Sequence, residues 1–338
     1  MTPRSRGVTR SLTLGSLCPE ARAPSLNEPE VAEGDSVSTD PAAKPEESRW
    51  RLHEGDEIVP GRSAITRLGG GLRYEAYLAW DDHLRSLVVI KVLRPGLVED
   101  RHTLDGLRSE VELLERLNHP VIVRSFGADL DCPRPHVVLE HLEGPRLSTL
   151  RRKYGPLLPE QLVSLAIQLC GAIHYLAREG VIHLDVKPSN VIMGGPARLI
   201  DLSVARTVEQ CTQIRSPVGT DAYMAPEQAD PRSEVSIGPP ADVWGVGVTL
   251  YEALLGERPF SKGDRDSKVA TERFPQLVEQ PRELPDKVGS SLADPIMACL
   301  ARDPTGRPTA DELADQLEVV LDGLPRPQLS KLKPRVQR

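Results

Sequence analysis

The chain has 338 residues, of which 39% are hydrophobic, and its formal net charge is −7 at pH 7. This length fits one two-lobed unit with tails, and the hydrophobic share excludes a wholly disordered chain. The negative charge argues against nucleic acid or an anionic membrane as a partner. No apolar run reaches the roughly 18 residues of a membrane-spanning helix, and the 5 cysteines form no CxxC pair. We therefore expect a cytoplasmic protein.

The two ends of the chain differ in composition from its middle. Residues 1–50 are rich in Pro, Ser, Glu and Ala. Such a segment buries too little apolar surface to offset its ordering entropy, so we expect a disordered leader. Residues 323–338 are basic and interrupted by proline, which predicts a flexible tail. Between these ends we expect one folded domain over residues 55–322.

The first half of this domain shows the pattern of a sheet with one helix. Short apolar or alternating pieces, SAITRL, YEAYLAW and LVVIKVL, predict an antiparallel meander over residues 63–93. A helix is predicted next, because Leu107, Val111, Leu114 and Leu117 recur at helical spacing before a proline. Two more strands follow in VIVRSFGADL and HVVLEHL.

The second half is largely helical. The stretch PEQLVSLAIQLCGAIHYLAREG begins with Pro, ends in Gly and carries an apolar stripe. Further helices are predicted in ADVWGVGVTLYEALLG and in TADELADQLEVVL, where Thr309 and Glu312 form a capping signature. Five strands with one helix, followed by helices, indicate an α+β fold with two unequal lobes, residues 55–141 and 145–322.

Polar residues in the second half suggest a chemistry. In VIHLDVKPSNVIM, Asp185, Lys187 and Asn190 lie between β-branched apolar pairs, and Asp201 follows the strand ARLI. Two carboxylates and an amide are the hard oxygen ligands that Mg²⁺ takes together with phosphate oxygens. Because Lys187 adds a compact cation, phosphoryl transfer is the leading hypothesis and a polar turn is the alternative.

The first half offers a complement to these groups. The glycines of LGGG, residues 68–71, would let backbone amides approach phosphates, although ordinary turns are the commoner cause of such runs. Lys91 lies inside the apolar strand LVVIKVL, where an unpaired lysine is costly. We expect it to pair with Glu110; the alternative is a surface lysine on an edge strand.

These stretches, in this order, resemble the protein kinase superfamily, in particular the eukaryotic-like serine/threonine kinases of bacteria. The resemblance runs from about residue 55 to about residue 322 and implies a bilobal kinase fold. It is carried by LGGGLRYEAYLAWD, VVIK, LRSEVELLERLNHPVIVR, VVLEHLEG, HLDVKPSN, DLS, GTDAYMAPEQ, DVWGVGVTLYEALLGERPF and DPTGRPTADEL.

The resemblance implies a role for each matching residue. Asp185 would accept or orient the proton of a substrate hydroxyl, and Lys187 would neutralise charge on the transferred group. Asn190 and Asp201 would hold Mg²⁺, with Mn²⁺ as an alternative metal. The substrate would be a protein Ser or Thr. The residues implied in ATP binding are Leu68, Gly69, Gly71, Ala76, Lys91, Glu110, Glu140 and Leu142.

Further residues receive supporting roles from the same resemblance. Leu139 would be the gatekeeper beside the adenine site, and Thr220 would lie near Asp185. Glu227 would pair with Arg307, and Asp242 would brace the catalytic loop. Thr207, Thr212 and Ser216 are candidate autophosphorylation sites.

Three positions depart from the family pattern. Leu184 replaces an Arg that contacts a phosphorylated activation loop in many members, so activity without loop phosphorylation is expected. Ser203 replaces Gly after the metal-binding Asp, and Tyr74 replaces the third loop Gly. These departures leave a pseudokinase scaffold as the alternative, and a small-molecule phosphotransferase as a second one. The full set of charged residues favours catalysis.

Overall fold

The computed structural model describes residues 49–324. The predicted leader and tail therefore lie outside the described residues, except for their innermost positions. At the first of these ends, Arg49 and Trp50 are described, and Trp50 packs on the sheet: its indole Nε1 donates to the carbonyl of Leu93 over 2.6 Å. The folded unit thus includes the last residues of the segment that we expect to be disordered.

A six-stranded antiparallel sheet forms the first lobe, with the strand order β1-β2-β3-β4-β6-β5. The strands are β1 Glu57–Val59, β2 Arg62–Gly69, β3 Tyr74–Asp81, β4 Ser86–Leu93, β5 Ser125–Asp129 and β6 His136–Glu140. The predicted antiparallel meander is confirmed, but the predicted number of five strands is wrong. The strand that was missed, β1, has only 3 residues, too few for an alternating pattern to show.

Helix α1, Arg101–Arg116, crosses between β4 and β5. Asp100 caps it, because its side chain accepts a hydrogen bond from the backbone of Thr103. Leu107, Val111 and Leu114 are buried as their spacing predicts, and Glu110 is buried on the same helix. The helix therefore delivers one carboxylate into an otherwise apolar contact, and the site below depends on this.

The second lobe is mainly helical, as predicted. Its helices are α2 Leu147–Tyr154, α3 Pro159–Arg178, α4 Val208–Cys211, α5 Pro226–Ala229, α6 Pro240–Leu255, α7 Ala270–Arg273, α8 Ser290–Cys299 and α9 Ala310–Gly323. Helix α6 is apolar nearly all round and is buried along most of its length, as expected for a central core helix. The predicted capping box of α9 is confirmed, since Thr309 Oγ1 accepts from the backbone of Glu312.

Two short antiparallel strand pairs carry the chemistry-bearing segments. They are β8 Val191–Ile192 with β9 Arg198–Leu199, and β7 Val181–Ile182 with β10 Arg206–Thr207. The segment between β7 and β8 holds Asp185, and the segment between β9 and β10 holds Asp201. The hairpin predicted from the sequence thus brings these two carboxylates to one side of the second lobe. Within residues 49–324, no helix has both the length and the apolar character needed to cross a membrane.

Candidate active site

Lys91 joins the two lobes. Its Nζ lies 2.9 Å from both carboxylate oxygens of Glu110 and 2.8 Å from Oδ1 of Asp201. The side chain of Lys91 is 13% exposed and that of Glu110 only 1%. The predicted Lys91–Glu110 pair is therefore present, and a solvated lysine on an edge strand is excluded, because β4 lies between β3 and β6.

Lys91 favours the charged forms of both carboxylates beside it, although burial still raises the pKa of Glu110. Burial favours the neutral amine of Lys91, but the carboxylates of Asp201 and Glu110 outweigh it and raise the pKa of Lys91 above its usual value. Burial also opposes ionisation of Asp201, yet the charge of Lys91 and its hydrogen bond hold the pKa of Asp201 well below its usual range. Both groups are therefore charged at neutral pH.

Asp185 occupies the centre of a second cluster. Its carboxylate accepts from Thr220 Oγ1 over 2.7 Å and from Asn190 Nδ2 over 3.0 Å, and Lys187 Nζ lies 2.8 Å away. Lys187 Nζ also donates to Thr220 Oγ1 over 2.6 Å. A hydroxyl thus lies beside an ammonium group and within hydrogen-bonding reach of a carboxylate, the distance that proton removal by a general base requires.

Burial and the neighbouring cation act in opposite directions on the pKa of Asp185. The residue is only 6% exposed, and this burial raises the pKa of the Asp185 carboxyl, while the charge of Lys187 and its hydrogen bond lower it. The negative charge of Asp201 adds a further upward contribution. The two carboxylates are therefore close enough to influence each other's charge.

The backbone beside both carboxylates is strained. Leu184 has φ +65° and Asp201 has φ +70°, in the left-handed region that costs a non-glycine residue roughly 1–2 kcal/mol. Asp242 stabilises the first of these turns, because its carboxylate accepts from the backbone N–H of His183 over 2.7 Å and of Leu184 over 2.8 Å. The predicted bracing role of Asp242 thus has a direct structural basis.

Gln228 holds the same turn from the other side, although no pattern in the sequence singles it out. Its Nε2 donates to the carbonyl of Leu184 over 2.9 Å and to that of Val218 over 3.0 Å. Gln228 lies in α5, two residues before Asp230 and next to Glu227, in the stretch GTDAYMAPEQ. A buried amide that links two loops leaves no periodic signal in a single sequence.

Asn190 and Asp201 are the two residues predicted to hold a metal. The amide nitrogen of Asn190 donates to the carbonyl and carboxylate of Asp185, so its amide oxygen is available for other contacts. The Asp201 side chain is 36% exposed, which leaves room for a ligand at its carboxylate. Among residues 49–324, no group of three His, Cys, Asp or Glu side chains could hold a metal. One carboxylate, one amide and phosphate oxygens form a suitable shell for Mg²⁺.

The glycine loop depends on a glycine that was not among the predicted nucleotide-binding residues. The turn between β2 and β3 requires Gly70, which was not among the selected residues: it has φ +152°, and a Cβ there would lie 2.3 Å from the carbonyl oxygen of Tyr74. Gly69 also has a positive φ, of +146°, but open space around it. The run of three glycines was the signal that could have identified the middle one.

Tyr74 points away from the loop. It opens β3, is 9% exposed, and its ring centroid lies 4.5 Å from Lys91 Nζ, within cation–π range. Burial raises the pKa of Tyr74 to about 12. The aromatic ring thus fills space beside Lys91 rather than space under the loop, and an effect of Tyr74 on ATP affinity stays a prediction.

The remaining residues predicted to bind nucleotide lie along the strands next to Lys91. Ala76 pairs in register with Lys91 across β3 and β4, and Gly69 pairs with Ala76 across β2 and β3. Glu140 ends β6, and its carboxylate accepts from Arg198 over 2.9 Å, which ties the connection between the lobes to β9. Leu142 follows and packs against the main core. These positions lie on the strands next to Lys91 and on the segment that follows β6.

The predicted activation segment spans residues 201–228 and contains the buried residue Cys211, whereas Leu184 lies in the catalytic loop before it. Leu184 is 3% exposed and Cys211 is 4% exposed, and both belong to the main hydrophobic core. Burial raises the pKa of the Cys211 thiol to about 11, which makes thiolate chemistry there unfavourable. Thr207 caps α4, since its hydroxyl accepts from Gln210. Leu184 thus supplies core packing at the position where a guanidinium would recruit a phosphate.

Glu227 and Arg307 form the predicted pair. Arg307 donates two hydrogen bonds to the carboxylate, over 2.7 Å and 2.9 Å, and both side chains are almost completely buried. Arg307 also lies over the ring of Trp244, 5.0 Å from its centroid. This bidentate contact fixes the segment that follows Thr220 to the end of the second lobe.

Comparison with known families agrees with this geometry. Residues 63–317 match the protein kinase domain. The chain belongs to the protein kinase family. It is 32% identical over 268 residues to serine/threonine-protein kinase PknB of Mycobacterium leprae, a match that covers 76% of this chain and 42% of that protein. It is 34% identical over 244 residues to serine/threonine-protein kinase PkaA of Streptomyces coelicolor, covering 70% of this chain and 44% of that protein.

The similarity covers most of this chain but less than half of each relative. This kinase chain spans less than half the length of the curated relatives that it matches, 42% and 44% for the two above. The match covers both lobes, so the bilobal kinase fold predicted from the sequence is confirmed.

Proposed function

We propose that this kinase transfers the terminal phosphoryl group of ATP to serine or threonine hydroxyls of proteins. The observation that carries the proposal is the cluster of Asp185, Lys187 and Thr220, in which a hydroxyl already donates to the carboxylate beside an ammonium group. Both relatives named above are serine/threonine-protein kinases by name, which supports the same substrate class.

The residues divide the work as follows. Asp185 accepts the proton of the attacking hydroxyl, and Lys187 offsets negative charge on the transferred group. Lys91, held by Glu110, contacts the phosphates on the nonreacting side. Asn190 and Asp201 hold the metal, for which Mg²⁺ is proposed and Mn²⁺ is an alternative. The metal–nucleotide complex supplies the phosphoryl group and neutralises its charge when bound.

The Thr220 contact explains why an alcohol is the proposed acceptor. In the structure its hydroxyl lies 2.7 Å from Asp185 Oδ1 and accepts from Lys187. A substrate Ser or Thr hydroxyl can make the same contact with the carboxylate. The segment after Thr220 is held by Arg273, which donates to the Asp221 carboxylate over 2.8 Å. A segment that is held in place beside the carboxylate suits an extended polypeptide substrate better than a small metabolite.

The test is a transfer assay with labelled ATP, Mg²⁺ and a generic protein substrate. We expect label on protein with the wild type and a loss of at least about a thousandfold with Asp185→Asn, which removes the proton acceptor without changing its shape. Asp311→Asn makes the same chemical change at an exposed site on α9 and is the matched control. Its activity should equal that of the wild type.

Each of the other outcomes of this assay would indicate a different function. Binding of Mg²⁺–ATP by thermal shift without any transfer would indicate a pseudokinase scaffold. Transfer to small metabolites alone would indicate a metabolite phosphotransferase. The cytoplasmic location stays a prediction that rests on the cysteine pattern and on the lack of a long apolar run in the sequence, and fractionation of cells that produce the protein would test it.

A further inference from the structure

Two arginines of the second lobe lie near the catalytic residues, and the mechanism above does not use them. Arg146 precedes α2, and its Nη1 donates to the carbonyl of Ser189 over 3.0 Å. Arg258 follows α6 and is half-buried. Within residues 49–324, neither guanidinium group lies within ion-pair distance of a carboxylate.

Arg146 lies close to the group that accepts the proton. Ser189 is next to Asn190, whose amide nitrogen lies 3.0 Å from Oδ2 of Asp185. Only one peptide unit and one side chain separate these contacts, so the guanidinium of Arg146 lies no more than about 13 Å from the Asp185 carboxylate. An extended peptide advances roughly 3.3 Å per residue, so a substrate side chain within about four positions of the reacting hydroxyl can reach Arg146.

Arg258 lies near the segment that follows Thr220. Tyr223 is three residues after Thr220, and its hydroxyl donates to Glu252 Oε2 over 2.5 Å. Burial and the charge of Glu252 raise the pKa of Tyr223, whereas the charges of Arg258 and Arg151 lower it. The positive charge of Arg258 therefore acts on the segment that carries the Thr220 hydroxyl.

The carboxylates of this segment and of α6 are already paired with other cations. Glu252 is 6% exposed, and its Oε1 lies 2.8 Å from Nη2 of Arg151. Asp221, next to Thr220, accepts from Arg273 through both oxygens, over 2.8 Å and 3.1 Å. A basic residue of a substrate would have to displace one of these partners, whereas an acidic residue would not.

Two exposed carboxylates lie beside the two arginines in the sequence. Glu257 is next to Arg258 and lies 3.4 Å from Arg282. Glu143 is three residues before Arg146 and forms no ion pair with it in the described part of the chain. Two unpaired cations against this one unpaired carboxylate leave an excess of positive charge, which favours an anion.

We propose that this kinase prefers protein substrates with an Asp or Glu within about four residues of the reacting Ser or Thr, and that Arg146, aided by Arg258, binds that carboxylate. The inference rests on the proposed function, since it names the class of sequence that the same site phosphorylates. Arg146 uses one N–H group for the Ser189 carbonyl, so its other N–H groups can form a charge-assisted contact with the substrate.

The net charge of the chain makes such a preference a local property. The whole chain carries a net charge of −7, so its long-range field repels an acidic peptide. A preference for that peptide must come from cations close to the site. Loss of an arginine elsewhere on the surface should therefore leave the preference unchanged.

The experiment measures transfer to three peptides that share one central Ser flanked on both sides by Glu, by Gln or by Lys. We expect kcat/KM at low salt to be about tenfold higher for the Glu peptide than for the Gln peptide. Most of the difference should lie in KM, because the contact is remote from the reacting atoms and is made equally before and during transfer. At about 0.5 M NaCl the difference should largely disappear.

Four variants assign the preference, each judged by the ratio of kcat/KM for the Glu peptide to that for the Gln peptide. This ratio cancels any general loss of activity caused by breaking the Ser189 contact. Arg146→Gln should lower the ratio to about twofold, Arg146→Lys should retain most of it, and Arg146→Glu should shift the preference to the Lys peptide. Arg178→Gln removes an exposed arginine at the end of α3 and should leave the ratio unchanged.

Three results would overturn the proposal. One is an equal kcat/KM of the wild type for the Glu and Gln peptides. Another is an unchanged ratio in Arg146→Gln, which would limit Arg146 to bracing the loop of Ser189. The third is an equal fall of the ratio in Arg178→Gln, which would indicate a long-range effect of charge.

A binding measurement separates this proposal from the proposed function. Transfer to none of the peptides would count against the kinase activity itself. Fluorescence anisotropy with labelled peptides and the full chain then tests the preference alone. The Glu peptide should bind about tenfold more tightly than the Gln peptide, and equal affinities would overturn the proposal.

Discussion

Loss of Lys91 should lower both the stability of the protein and its catalytic activity. Lys91→Met removes the partner of Glu110, whose side chain is 1% exposed, and leaves a buried carboxylate uncompensated. We expect a loss of about 3–5 kcal/mol in the free energy of unfolding, together with loss of transfer. The measurement is denaturant unfolding, with transfer assayed in parallel.

A double variant separates the effect on stability from the effect on phosphoryl transfer. Lys91→Met with Glu110→Leu removes both charges, so most of the stability should return while transfer stays absent. Equal stability of the single and double variants would show that Glu110 is not the group that Lys91 stabilises.

Asp185 determines how activity depends on pH. Since burial raises the pKa of Asp185 and Lys187 lowers it, removal of the cation raises the pKa further. The carboxylate must be ionised to accept a proton, so the acidic limb of kcat/KM should move to higher pH in Lys187→Ala. Rates of the wild type and variant between pH 4.5 and 8 test this, and a limb that stays or moves to lower pH would contradict it.

At the scale of elements, the activation segment allows a test of whether activity requires phosphorylation. Cys211 of this segment and Leu184 of the catalytic loop are buried in the main hydrophobic core, so we expect the segment to be ordered without an added phosphate. We expect Thr212→Ala combined with Ser216→Ala to retain transfer within about twofold. A phosphate-dependent segment would instead lose most activity, and phosphatase treatment of the wild type gives an independent readout.

Strong local patterns made several elements predictable. The spacing of Leu107, Val111 and Leu114 was sufficient for α1, and the cost of a lysine in an apolar strand predicted its pairing with Glu110. The strands β1 and β7–β10 have two or three residues each, too few for any period to show. Contacts such as Gln228 with Leu184, or Trp50 with Glu75, join distant residues through tertiary packing and leave no local trace.

At the scale of the whole molecule, the cleft between the lobes should couple ligand binding to stability. Lys91 in one lobe and Asp201 in the other are 2.8 Å apart and would both contact a bound metal–nucleotide complex. At a concentration about 100 times its dissociation constant, Mg²⁺–ATP should add about 2.7 kcal/mol to stability and raise the unfolding midpoint by several degrees.

Two matched tests of this stabilisation remove either the metal or the residue proposed to bind it. Chelation with EDTA should remove most of the increase, and Asp201→Asn should reduce it, whereas Asp311→Asn should not. An increase that survives both EDTA and Asp201→Asn would place the nucleotide away from this cleft.

The ion pair of Glu227 with Arg307 also constrains how the protein comes into being. Its members are 80 positions apart in the chain, and neither is accessible to water once joined. During synthesis, Glu227 leaves the ribosome well before Arg307 does, so the pair can form only after nearly the whole domain has emerged. A proteolytic fragment that ends before Arg307 would leave the carboxylate of Glu227 without its cation.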